Sequence, residues 1–150
     1  MKVFKFLATT AASIGMLSIV SCSSKTESYI DDIYDELEDA TEVLKEDCNE
    51  WEDTQDVAEE LHEIADNMHE ITKDAQNDAT KYLKELKSMT PEEVKEMQKD
   101  IQERVKEANQ QWDSAKKDFR KNDKVRNSEA VEGAINRIDA EVKEAVRLVF

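Results

Sequence analysis

Glycine and proline are nearly absent. The 150-residue chain has two glycines and one proline. Sheets need a turn every few residues and turns draw on these residue types, so their scarcity points to long helices. Beyond residue 21 the only glycine is Gly133, which excludes a phosphate-cradling loop and a dinucleotide fingerprint. No loop is long enough to bring a serine or cysteine nucleophile to a histidine. Slender helices also lack the concave cleft in which two carboxylates could cleave a glycoside. The chain is therefore expected not to be an enzyme, and nothing in it calls for a cofactor. Bases are scarce too, with 21 Lys and Arg against 36 Asp and Glu for a net charge of −15. Such a chain repels nucleic-acid phosphates and anionic headgroups alike. A hydrophobic content of 39% is nonetheless enough for a core.

The first residues follow a different logic. Lys2 and Lys5 form a short basic stretch, and Phe6 to Val20 is apolar apart from small Ser, Thr and Gly. A bilayer span needs about 20 apolar residues, so this is the anatomy of a signal peptide. It ends in Ile19-Val20-Ser21-Cys22, which resembles the lipobox of bacterial lipoproteins. The resemblance covers residues 1–22. It implies that the Cys22 thiol receives a diacylglycerol, that residues 1–21 are removed, and that the new N-terminus is acylated. Each buried CH₂ then adds about 0.8 kcal/mol, so two or three chains hold the protein for good. Membrane attachment is expected to come from this lipid alone. Ser23, and not Asp, follows the cysteine; by the sorting rule of enteric bacteria this favours the outer membrane. Without lipidation, Cys22 would be a free thiol behind an ordinary secretory signal. Residues 22–28 are expected to be the lipidated N-terminus and a polar tether, and 29–150 an acidic helical domain.

From Tyr29 the pattern is periodic. One heptad column reads Ile30, Leu37, Leu44, Trp51, Ala58, Ala65, Thr72, Ala79, Leu86, and its partner Ile33, Ala40, Asp47, Thr54, Leu61, Met68, Ala75, Tyr82, Met89. Unbroken heptads predict one long coiled-coil-like helix over about 29–88. Val43, Val57, Ile64 and Ile71 widen the apolar face towards a bundle. Asp47 to Thr54, where one column turns polar, is the weak point. Thr90-Pro91-Glu92-Glu93 is a restart signal with cap, first-turn proline and capping box, opening a second helix over 91–121 with Val94, Ile101, Val105, Ala108, Trp112, Ala115 and Phe119 inward. Ser128 can cap a third over 129–149, striped by Val131, Ile135, Ile138, Val142, Ala145 and Val149.

The fold class is thus all-α, and two layouts compete. One is a long antiparallel hairpin of about three helices. The other bends the first helix near Asp47–Thr54 into a shorter four-helix bundle. Charge favours the hairpin: residues 22–89 hold 22 acids and 6 bases, residues 90–150 hold 14 and 13. Folding about Met89–Thr90 would set Lys116, Lys117, Arg120, Lys121, Lys124 and Arg126 beside Asp53, Asp56, Glu59, Glu60 and Glu63.

Few residues suggest chemistry. Glu59 precedes His62 by three, and Asp66 precedes His69 by three, the carboxylate-x-x-histidine spacing of di-metal bundles. Both copies sit on one helix, so His62, Asp66 and His69 are only weak metal candidates, and the histidines read better as boundary residues. The acids from Asp31 to Asp56 suit diffuse cation binding, since calcium sites need a turning loop. Cys48 is either a small buried hydrophobe or one half of a disulfide between chains. Trp51 and Trp112 read as core; either one exposed would suggest a partner-binding patch. The leading functional expectation is a structural or interaction module of the cell envelope that binds another envelope protein or its own copies. It resembles the small helical lipoproteins that tie outer membrane to cell wall only in lipobox and heptads, since it closes on Val149-Phe150 where they carry a lysine. The alternatives are a carrier that shields an apolar ligand or client around Val57, Ile64 and Ile71, and a divalent-cation binder.

Overall fold

The computed structural model describes residues 25–149. Helix α1 spans Lys25–Glu42 and runs into a π turn, Val43–Asp47. After three irregular residues a 3₁₀ turn at Trp51–Asp53 leads into α2, Thr54–Asn77. A kink at Asp78 separates α2 from α3, Ala79–Ser88. Helices α4 (Pro91–Lys121) and α5 (Glu129–Val149) complete the chain. The described residues contain no strand, so the all-α expectation holds. The second and third helices fall where their caps put them. Thr90 Oγ1 accepts from the Glu93 amide at 3.2 Å, and the Glu93 carboxylate accepts from the Thr90 amide at 2.7 Å. The Ser128 hydroxyl accepts from the Val131 amide at 3.4 Å.

The single helix over 29–88 does not form, and the short bundle is the layout adopted. The π turn adds a residue per turn and carries the seam out of phase just where Asp47 would have entered it. The chain reverses through Cys48, Asn49 and Glu50. Asp53 then accepts from the Glu50 amide at 3.2 Å, and the Thr54 hydroxyl donates to the Trp51 carbonyl at 2.8 Å. These bonds satisfy backbone groups that a helix end otherwise leaves open. Residues 25–28, inside the stretch expected to be tether, already belong to α1.

Two antiparallel pairs result, α1 with α2 and α4 with α5. They lie side by side in the same direction, so α1 packs on α4 and α2 on α5. Hydrogen bonds between the pairs join residues 69 to 75 apart in sequence. Helix α2 meets α5 most extensively; buried Ala58, Ala65 and Ala75 on one and Ala134 and Ala145 on the other let axes approach closely. Between α4 and α5 the large Trp112 reaches across to Asp139. The core runs through α1, α2, α4 and α5, from Ile30, Ile33, Tyr34 and Leu37 to Ile135 and Ile138. Val125, from the 122–128 loop, plugs one end and is fully buried. No helix among the described residues is long and apolar enough to cross a membrane.

Candidate functional site

The two ends of the bundle differ. At one end α1 begins and α3 lies. At the other, the 48–53 segment faces the 122–128 loop, where the Asn122 side-chain amide donates to the Asn49 carbonyl at 3.5 Å and Lys124 pairs with Glu50. Trp51 stands at this second end and is 55% exposed, against the expectation of a core residue. The cause is the π turn and reversal before it, which rotate position 51 out of the seam while Leu44 and Ala58 in the same column stay buried. Trp51, Thr54, Gln55, Asn127, Ser128 and Ala130 rim a depression of about 620 Å³. The bonds at Glu50 and Thr54 hold the indole on an ordered turn. The polar column over Asp47–Thr54 marks a bend here, and Asp53, three residues after Glu50, marks a new helix start, but neither shows that Trp51 turns outward.

Trp112 is core as expected, 2% exposed, and its indole Nε1 donates to Asp139 Oδ1 at 2.8 Å. Lys116 Nζ lies 3.0 Å from the same oxygen and 5.6 Å from the indole centroid. The basic cluster therefore does not sit beside Asp53 to Glu63. Arg120 forms a two-pronged pair with Glu132 on α5 at 2.7 and 3.1 Å, and Arg126 pairs with Asp123. These charges serve their own helix pair, and Lys124–Glu50 is the cluster's ion pair to the first half.

The weak metal candidates are dispersed. Asp66 pairs with Arg137, which also donates to the His62 carbonyl at 3.4 Å. His69 is exposed, its Nδ1 3.2 Å from Glu141, while His62 is half-buried. Among the described residues no three His, Cys, Asp or Glu side chains gather to hold a metal. His69 and Glu141 belong to a crevice of about 300 Å³ between α2 and α5, with Thr72, Lys73, Gln76 and Glu144. Cys48 is 3% exposed, as a small hydrophobe would be, and burial followed by the nearby Asp53 pushes its thiol up to about 11. A thiol held so far above neutrality is a poor nucleophile. Val57 and Ile64 are buried and Ile71 packs on the core, so the apolar face on which a carrier would rely is covered by the bundle itself.

One charged feature stands out on α1. Arg104 of α4 lies 2.9 Å from Asp31 and pairs with Asp35 and, at 3.9 Å, Glu38. Asp39, on the other flank, is pushed up to about 6, first by burial and then by Glu36, Glu42, Asp35 and Glu38. Burial, with neighbouring acids, also raises Glu38 and Asp32. The band is thus electrostatically loaded, yet a straight helix cannot wrap its carboxylates round an ion. Cys22, the lipidation candidate, lies outside the described residues. Compared with known families, curated proteins and solved structures, the chain matches none.

Proposed function

We propose that this chain is a lipid-anchored helical module of the bacterial cell envelope, attached through Cys22 to a membrane, by the residue after it the outer membrane, and that it engages another envelope protein through the end of the bundle that carries Trp51. The observation that carries the reading is the exposed indole. Leaving a tryptophan half in water forfeits a large part of its burial free energy, and it does so here on a turn fixed by hydrogen bonds. Exposed aromatics on ordered backbone are the anchors on which interfaces concentrate their binding energy. The lipobox resemblance supports the anchor, and the Trp51 end lies opposite the end where α1 begins. The bundle then acts as a spacer of about 30 Å, the length of α1 and its π turn.

The test is chemical cross-linking in cells of the intact protein, with Cys22→Ala and Trp51→Ala forms alongside, read by mass spectrometry. One foreign partner, lost in both variants, is the expected result. Cross-links only to itself, or none, would sink the interaction reading. A partner retained by Trp51→Ala would move the contact elsewhere on the surface.

A further inference from the structure

Helix α3 is at odds with the half of the chain it belongs to. Residues 22–89 contain six bases in all, Lys25, Lys45, Lys73, Lys81, Lys84 and Lys87, and three of them fall on these ten residues against the single acid Glu85. None of its side chains is fully buried. Tyr82, Leu86 and, just past its end, Met89 pack against the core. The opposite face presents Leu83, 57% exposed, with Lys84 and Lys87, both exposed. Lys81 is held by Asp78 at 2.7 Å. The helix is a short amphipathic element with a cationic and apolar outer face, in a domain otherwise strongly acidic.

Its position gives that face a neighbour. Helix α3 contacts both α1 and the end of α2 that it follows, and Tyr82 is within electrostatic reach of Tyr29 and Asp32 near the start of α1. It therefore lies at the end of the bundle where α1 begins. Cys22 precedes Lys25 by three residues, which span at most about 11 Å. We infer that α3 is a second membrane contact, docking on anionic lipid headgroups with Lys84 and Lys87 at the phosphates and Leu83 entering the headgroup layer. The inference rests on the lipid-anchor reading. It revises the expectation that the lipid acts alone: the acyl chains supply residence on the membrane, while α3 fixes orientation. The acidic remainder is repelled by the same surface, so the bundle stands away from it with Trp51 outermost.

The experiment places the full-length lipidated protein in vesicles of phosphatidylcholine, with and without one third phosphatidylglycerol, at low salt. Flotation reports the anchor and amide hydrogen exchange over 79–88 reports docking. A Lys84→Glu/Lys87→Glu variant, checked by circular dichroism, and a milder Leu83→Ser variant run in parallel. Exchange of α3 amides is expected to slow by roughly twenty-five-fold in the anionic vesicles, since Lys84 and Lys87 near an anionic surface each contribute about a factor of five. The slowing should vanish in high salt and in the charge-reversed variant, which still floats, and should shrink in Leu83→Ser. Protein that floats with both vesicles while α3 exchanges equally fast in each overturns the docking alone. Protein that floats with neither overturns the anchor, and the docking with it.

Discussion

Replacing Asp139 by alanine should loosen the seam between α4 and α5. The carboxylate accepts from the Trp112 indole at 2.8 Å and from Lys116 Nζ at 3.0 and 3.2 Å. Alanine leaves the indole N–H of a residue 2% exposed without an acceptor, which costs about 1–3 kcal/mol. Lys116 keeps Asp113, also at 3.0 Å, so its share of the loss is below about 1 kcal/mol. Alanine is the better helix former by a few tenths of a kcal/mol. The balance is a loss of about 2 kcal/mol, or roughly 8 °C in melting temperature for a domain of this size. Asp139→Asn keeps a side-chain oxygen for the indole and should lose less than half as much. Trp112→Phe removes the donor from the other side, and because the two residues form one interaction, the double variant should be milder than the sum of the singles. Thermal melting followed by far-ultraviolet circular dichroism at neutral pH measures all four. An alanine variant within about 1 °C of the parent, or strict additivity in the double variant, would refute the reasoning.

Two further predictions concern single sites. Gly133 lies within α5, its φ is not positive, and a Cβ added there meets nothing within 4 Å; Gly133→Ala should raise stability by about 1 kcal/mol, seen as a higher denaturant midpoint at unchanged slope. Asp39 has a folded pKa of about 6, above its ordinary 3.8, so the folded state holds the proton more tightly. The stability this confers is fully present below about pH 4 and is lost as pH rises through about 6. Because Asp39 keeps solvent contact, screening reduces the effect to about 1 kcal/mol. Melting curves across this range should show Asp39→Asn ahead of the parent at neutral pH and level with it near pH 4; an equal advantage at every pH would refute the linkage.

Much of the architecture was legible because caps are local. Thr90, Pro91 and Glu93 mark the start of α4 by side-chain chemistry confined to the first turn, and Ser128 does the same for α5. The reversal at Cys48–Glu50 carries neither glycine nor proline, so the polar column over Asp47–Thr54 is its main mark, and the apolar columns resume one heptad later at Ala58 and Leu61. Heptad counting reads through such a gap, and the π turn that shifts the phase has no residue signature. Trp51 was misassigned for the same reason. The charge register failed differently. A large imbalance between halves suggested pairing across them, but Lys116 and Arg120 find Asp139 and Glu132 on the next helix, where the chain's own connection brings them at little entropic cost. The metal candidates dissolved once Arg137 and Glu141 took Asp66 and His69 as partners. The outward face of α3, by contrast, was present in the spacing of Leu83, Lys84 and Lys87, but it was masked by treating 29–88 as one acidic helix.

The parallel stacking of the two helical pairs also bears on how the chain reaches this state. Bonds between the pairs close loops of 69 to 75 residues, so they all close what is in effect one loop. Closing it costs about 4 kcal/mol in chain entropy, growing only with the logarithm of its length. Once any one of these contacts forms, from the Arg104 cluster near one end to Lys124–Glu50 at the other, the rest follow in register without a further closure.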